Sequence, residues 1–382
     1  MSELKVNSIK GTGASTAAIT IDSSSGGCTA NITNNLSNRN LIINGAMQVA
    51  QRGTSSTAND YLIDRFRFSH GGTDEAPTIS QVDVASGTTP YTLGFRKALR
   101  VTNGNQTSGA GAADYIEFYQ YLEDQDISNS GWNFKSSSSY ITISFWVKSS
   151  VAQKFTGFFY TNQAAAGDSY MYSYQIDNGS GGNLTADTWT KITHSIPGNS
   201  NLTLNNDNTR GLAVGFYMFE GTDYSTSSHT ENTWAAWNTS NKIKDMTSTW
   251  YTTNDATFEI TGVQLEVGSV ATDFEHRSFA QELVLCQRYY QQVYFYWNTG
   301  STNSNYLYYV GGQFNPIMRA APSLVAAYNN NNENSFETRD GSTWRTGLPT
   351  LIEAQPEGIV LRSNNNVVFN AIKGIAHFNA EL

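Results

Sequence analysis

The chain has 382 residues, of which 23 are Lys or Arg and 32 are Asp or Glu, giving a net charge of −9. Charged residues make up 14%, well under the roughly 25% of an ordinary soluble domain. A nucleic-acid binder needs clustered cations to displace the counterions of phosphates, and this composition supplies none. Ser, Thr and Asn together number about 120, with 32 Gly, 21 Tyr, 19 Phe and 8 Trp. These are strand and turn formers with aromatic side chains for a core, so the composition implies an all-β fold and excludes a disordered chain.

Residues 1–38 hold two short alternating runs, Leu4 to Ile9 and Ala18 to Ile21, among Gly/Ser/Thr stretches such as Gly11-Thr12-Gly13 and Ser23 to Gly27. Such a segment has too little apolar surface for a core of its own. It reads as a β arm for attachment or oligomerisation. Met1 to Lys10 lacks the apolar run of a signal peptide, and no stretch nears the roughly 20 apolar residues of a membrane span. The expectation is a chain made in a cytosol, with no membrane insertion.

Residues 39–275 read as successive strands separated by Asn/Gly/Ser turns, the pattern of a jelly-roll β-sandwich. In Ile141 to Val147, residues Ile141, Ile143, Phe145 and Val147 share one face, and Leu212 to Met218 alternates likewise. Trp146 has the opposite parity and is expected to meet solvent or a partner chain. Phe258 and Ile260 lie on one parity, whereas Val263, Leu265 and Val267 lie on the other. The change of phase falls at Gly262, where a β-bulge is expected because glycine tolerates the required backbone.

Residues 276–292 form a connecting helix. Ser278 with Gln281 has the form of a capping box, and Phe279, Leu283, Cys286 and Tyr290 recur on one helical face. Residues 293–382 return to aromatic strands, Val293 to Trp297 and Tyr306 to Val310. An asparagine tract (Asn329 to Asn334) and a terminal Val367-Val368-Phe369 follow, all within a smaller distal β domain.

Candidate chemistry is sparse. The five histidines (His70, His194, His229, His276, His377) show no metal-ligand spacing. Cys28 and Cys286 lie in no CxxC motif, and a disulfide between them is an open pairing. No hydrolase or nucleotide-binding motif is present, so the chain reads as a non-enzyme. Asp114 with Glu117, and Glu123, Asp124 and Asp126, are acid clusters that a polysaccharide depolymerase could use only if two faced each other across a cleft. Asp60, Asp64 and Asp273 are candidate ligands for a structural calcium, the one cofactor considered. Sugar rings stack on exposed aromatics while amides take their hydroxyls. The long polar stretch Gly221 to Asn238 therefore offers Tyr224, Trp234, Trp237 and Asn238 as glycan contacts, with Trp132 as a further loop candidate. The alternative for Trp234 is a plug folded over the sandwich edge.

Three stretches resemble known sequences. Asn40-Leu41-Ile42-Ile43-Asn44-Gly45 through Gly53, followed by Tyr61 to Phe66, resembles the opening of a jelly-roll module in tailed-phage fibre and appendage proteins, notably of marine phages. Gly262-Val263-Gln264-Leu265-Glu266-Val267-Gly268, running through Ala271 to Ser278 into Leu285 to Tyr290, is similar to that module's end and exit helix. Pro316 to Pro322 and Phe378 to Leu382 resemble the distal β domain that follows it. The family often has Pro where this chain has Asp273. The resemblance implies a virion structural protein, a homotrimer docked to other virion proteins through residues 1–38, with a carbohydrate-binding-like module that contacts host surface glycan. It carries over no catalytic residue. A head-decoration or tail-scaffold role is the architectural alternative.

Overall fold

A computed structural model describes residues 6, 8–10, 12, 19–21, 28–30, 39–161, 169–298, 309–328, 336–340, 343–347, 349–363 and 371–382. The expected asparagine-tract loop, the Val367 to Phe369 run, Ser23 to Gly27 and Tyr306 to Tyr308 lie outside these residues.

Alternation in the sequence becomes two faces in the structure. Ile141, Ile143, Phe145 and Val147 are all fully buried, as are Leu212, Phe216 and Met218, because successive strand residues point to opposite sides. Two six-stranded antiparallel sheets enclose them, so the all-β jelly-roll sandwich is the observed fold. The first sheet runs, in spatial order, Ala235–Ala236, Tyr170–Ile176, Phe155–Thr161, Arg210–Glu220, Tyr115–Glu123 and Arg67–Gly71. The second runs Thr190–Pro197, Tyr140–Ser149, Thr257–Val267, Lys97–Thr102, Thr78–Asp83 and Ser55–Ser56. Phe118, Phe145, Phe216 and Phe258 meet edge-on or tilted between them, the preferred geometry of aromatic pairs.

The bulge stands where it was expected. Pairing between Thr257–Val267 and Tyr140–Ser149 slips between Thr261 and Gln264, and Gly262 has φ +65°. At the same point the strand changes partner on its other side. It pairs with Lys97–Thr102 only up to Ile260, and beyond the bulge the segment Asn40 to Gly45 takes over. Val263 N–H donates to the Gly45 carbonyl (2.9 Å), and Leu41 N–H to the Leu265 carbonyl (2.8 Å). Asn40 completes the splice: its Oδ1 accepts from Leu265 N–H (3.0 Å) and its Nδ2 donates to the Val263 carbonyl (3.2 Å).

Residues 40–66 hold almost no regular structure, yet Ile42, Asn44, Met47, Ile63, Arg65 and Phe66 are fully buried. A buried loop must satisfy its backbone polar groups by other means. Here Asn44, at φ +62°, donates to the Val49 and Asp64 carbonyls and accepts from Val49 N–H.

Trp146 is half-buried rather than facing open solvent. The outer face of the second sheet is covered by the chain around Val84 to Phe95 and by Phe274, and Trp146 packs there with Ala46, Val84, Phe95 and Ala98. The helix is Phe279–Gln287, with the capping box formed, but its buried face differs from the expected stripe. Phe279 is 54% exposed, and Glu282 and Cys286 are the buried residues, followed by Tyr289 beyond the helix. The reason is polar: Glu282 accepts from Asn44 N–H and pairs with Arg277, which turns the helix toward the first loop. Tyr290 already belongs to the next strand, and Cys286 is a free buried thiol.

That strand, Tyr290–Asn298, opens a five-stranded sheet with Ala371–Asn379 at its centre, beside a three-stranded sheet of Tyr309–Gln313, Gly358–Ser363 and Pro349–Gln355. The distal sheets are tied to the sandwich by charge. Arg65 is fully buried, donates to Glu381 and to the Tyr121 carbonyl, and lies 3.4 Å from the Tyr289 ring centroid. Arg288 grips Glu123 with two hydrogen bonds of 2.7 and 2.8 Å. Toward the amino end, Ser8–Ile9, Ile19–Ile21 and Cys28–Ala30 form a small antiparallel sheet.

Two substitutions test this architecture. A Cβ at Gly262 would stand 2.6 Å from the Phe95 ring at a left-handed φ, so Gly262→Ala is expected to lose about 1–3 kcal/mol in urea denaturation. Arg65→Met strips Glu381 of a buried partner and is expected to lose on the order of 3 kcal/mol, read by the same titration.

Candidate functional site

The outward face of the first sheet carries the most distinctive surface. In Tyr115–Glu123 the inward residues are Ile116, Phe118, Gln120 and Leu122, so Tyr115, Glu117, Tyr119 and Tyr121 share the outer face and are half-buried. Neighbouring strands add Phe158 and Tyr160, and then Ala213 and Tyr217, at matching positions. Phe158 stacks on Tyr217 with centroids 4.4 Å apart and planes at 22°. Gly215 allows this: a Cβ there would lie 2.2 Å from Phe158 and 2.7 Å from Tyr119. Trp237 leans over the sheet edge against Tyr160 at 4.6 Å and is 37% exposed. Together these side chains wall an open cleft of about 250 Å³.

A second irregularity arms the cleft with charge. Pairing of Arg210–Glu220 with Tyr115–Glu123 slips between Tyr217 and Phe219. Unbroken alternation would put Phe219 outside and Glu220 inside. With the slip, Phe219 stacks on Tyr251 in the core, and Glu220 comes out beneath the cleft to face Lys242 Nζ at 2.8 Å. A bulge re-aiming a side chain beside a site is a recurrent use of that irregularity. Neither Glu220 oxygen takes a hydrogen bond from a neutral donor among the described residues. Lys242 lies over the rings of Tyr224 (4.3 Å), Tyr217 (5.2 Å) and Trp237 (6.0 Å), within cation–π reach.

Burial pushes the carboxyls of Glu117 and Glu220 up, to about 7 and about 8, against the pull of Lys242 on both; Arg67 also opposes the rise at Glu117, and Glu117 adds to it at Glu220. The two therefore take up protons near neutrality, Glu117 in the lining of the aromatic cleft and Glu220 enclosed behind Lys242.

The residues singled out in the sequence divide sharply. Trp237 and Tyr224 belong to this site, joined through Lys242. Asn238 is exposed beside it, but its side chain accepts from Ser240 N–H and caps the turn Thr239–Asn241. Trp234 is the plug: it is 7% exposed, and its Nε1 donates to the Pro197 carbonyl at 2.7 Å. Trp132 is not a surface aromatic either; it is core, 4% exposed, donating to the Ser139 carbonyl.

Most of the expected acid clusters serve structure. Asp114 accepts from Gly111 N–H and the Tyr251 hydroxyl, and Asp124 from the backbone N–H groups of Asn205 and Asn206. Burial raises Glu123, but hydrogen bonds from Arg288 and Tyr289 outweigh it and hold the carboxyl below its usual range. Asp126, raised by burial and then by Glu123, lies on the short helix beyond it. Only Glu117 reaches the cleft, paired with Glu220 rather than with Asp114.

The calcium candidates are not brought to one site. Asp60 accepts from Tyr61 N–H, buried Asp64 from Gln51, and Asp273 lies exposed on the covering segment. Among the described residues, no three His, Cys, Asp or Glu side chains gather where a metal could be held. No helix of those residues is long and apolar enough to cross a membrane. A larger hollow of about 580 Å³ lies between Leu41, Asp126 and Arg277, but no aromatic ring lines it.

The raised carboxyls have a consequence for stability. Folded Glu117 and Glu220 hold protons more tightly than unfolded ones, so their contribution is complete below the ordinary carboxylate range and is lost as pH rises through 7 and 8. The thermal midpoint is expected to fall between pH 6 and pH 9, and Glu220→Gln to flatten that fall, as read by calorimetry.

No protein-family model matches the chain, and no curated protein matches it in sequence. Among solved structures, the enzymatically active domain of tailspike protein 4 from bacteriophage CBA120 aligns at 13% identity and a TM-score of 0.32, over 60% of this chain. The chain spans only 21% of that tailspike's length. A family 11 carbohydrate-binding module from Clostridium thermocellum aligns at 13% identity and a TM-score of 0.26, over 55% of this chain and 91% of the module. The N-terminal cellulose-binding domain of a Cellulomonas fimi β-1,4-glucanase aligns at 10% identity and a TM-score of 0.25, over 58% of this chain and 97% of the domain.

Proposed function

We propose that this chain is a glycan-binding structural protein of a tailed-phage virion, a fibre or appendage that holds host surface saccharide on the outer face of its first sheet. The observation that carries the glycan reading is the open wall of Tyr119, Tyr121, Tyr160 and Trp237 above polar groups of both signs. Apolar sugar faces stack on such rings, while carboxyl, phenol and ammonium groups take the hydroxyls. A largely apolar concavity with a few convergent polar groups is the usual form of a small-ligand site.

The binding is non-catalytic in this reading. A glycosidase needs two carboxyls that reach opposite sides of one glycosidic bond. Glu117 lines the cleft, but the Glu220 side chain is fully enclosed behind Lys242, where no glycosidic oxygen can reach it. Reducing-sugar release from host polysaccharide by the purified chain would argue for a depolymerase instead.

The virion setting rests on the resemblance of the Asn40 to Gly53 and Gly262 to Ser278 motifs. Three copies would dock to other virion proteins through residues 1–38 and multiply weak single-site affinities. Apolar side chains exposed on the helix and distal sheet, Phe279, Val284, Tyr294 and Val325, suit contacts between copies. The architectural alternative, a decoration or scaffold protein, predicts no saccharide binding at any valency.

Trp237→Ala is expected to weaken glycan binding by about 1 kcal/mol, roughly fivefold, on an array or by calorimetry. Trp132→Phe, in the core, is expected to leave affinity unchanged while lowering stability.

A further inference from the structure

The charges around the cleft narrow the class of saccharide. Although the chain as a whole is acidic, with net charge −9, cations line this face. Lys242 forms one wall. The Arg210 guanidinium lies 4.5 Å from the Tyr121 centroid, and Arg67, opposite Tyr119 on the neighbouring strand, lies 5.6 Å from the Tyr61 centroid and close enough to Glu117 to oppose the rise of its carboxyl. Facing them are Glu117 and Glu220, with Tyr217 and Tyr224 between; Asp223 and Asp245 stand on the covering loop, where Asp245 is engaged by the Ser225 hydroxyl. One half-buried carboxyl, Glu117, and one enclosed carboxyl, Glu220, thus act on one lysine ammonium. Both cannot be ionised there without strong mutual repulsion. When both carry protons, neither carboxyl offsets the charge of Lys242, which lies beside the open aromatic wall.

Building on the glycan reading above, we propose that the cleft selects an anionic saccharide, a uronate or a sulfate ester, whose charged group pairs with Lys242 in place of Glu220. The ligand anion takes over the ion pair and Glu220 keeps its proton, so the site gains no unpaired buried charge. Burial holds the Glu220 carboxyl near 8 and Glu117 near 7, which makes the proton available at neutral pH. The sign follows: falling pH protonates Glu220 and strengthens anion binding, whereas a uronate or sulfate remains ionised throughout this range. Rising pH restores the internal Glu220–Lys242 pair and expels the ligand anion.

The test is calorimetry on the full chain with three probes: oligogalacturonate, a sulfated galactan oligosaccharide, and a neutral galactan oligosaccharide of matched length. Anionic probes are expected to bind roughly tenfold tighter at pH 6 than at pH 9 and to weaken with salt, with the neutral probe indifferent to both. The two anionic arms report whether carboxylate or sulfate is preferred. The double variant Glu117→Gln/Glu220→Gln, which mimics both protonated acids, is expected to keep tight anion binding at pH 9, and Glu220→Gln alone to lose part of the pH dependence. Lys242→Gln is expected to lose anion preference and Lys242→Arg to retain it. The proposal is overturned if the neutral probe binds as well as the anionic ones at pH 6, or if Glu117→Gln/Glu220→Gln keeps the wild-type pH dependence. In both cases a loss of neutral binding in Trp237→Ala would leave the glycan reading standing. Absence of binding by all three probes would sink both.

Discussion

Much of this molecule turns on one bulge. The backbone at Gly262 shifts the strand by one position, so Val263 and Leu265 face the core as Phe258 and Ile260 do before it. It also ends pairing with Lys97–Thr102 and opens that edge to residues 40–45. The segment so captured is held from the other side by the exit helix: Asn40 N–H bonds to Glu275, Arg277 to the Ile42 carbonyl, and Asn44 N–H to Glu282. The opening of the sandwich, its last strand and the helix leaving it are therefore one hydrogen-bonded unit. Each of the two long sequence motifs supplies the partners that the other's buried backbone requires.

A second bulge, between Tyr217 and Phe219, does the corresponding work for the site. It sends Phe219 into the core and brings Glu220 out beneath the aromatic face. Structure and site thus depend on the same device, a single extra residue that inverts parity. In each case the departure from regular alternation marks the place where one strand has two tasks.

How much of this could be read beforehand follows from what periodicity reports. Inward faces were legible, because Ile141 to Val147 and Leu212 to Met218 alternate plainly, and Gly262 at a phase change names its own bulge. The capping box of Ser278 and Gln281 was equally local. The outer stripe Tyr115, Glu117, Tyr119 and Tyr121 was written in the same alternation but is obscured by the apolar residues between. Its pairing with Phe158, Tyr160 and Tyr217 depends on strand neighbours that no single strand reveals. Loop tryptophans were the least legible. Trp132 is turned inward with its indole nitrogen on the Ser139 carbonyl, and Trp234, for which a plug was one of the two readings, is held by the Pro197 carbonyl, an acceptor 37 residues away that leaves no mark in local sequence. The helix stripe failed for a related reason: Glu282, not an apolar residue, sets the buried face through Asn44 and Arg277.

The cleft is built mostly on the flat of a sheet rather than between loops that must fold over a ligand. Its rings are fixed by cross-strand neighbours and by the space at Gly215, so little conformational freedom remains to be lost on association. The strand-borne rings of Tyr119, Tyr121, Phe158 and Tyr160 do not select a sugar by closing around it. Discrimination must come from fixed shape and charge. In the proposed reading, a bound residue of a polymer would leave such a sheet face as freely as it arrived, so a long glycan could shift along the surface while neighbouring copies keep hold.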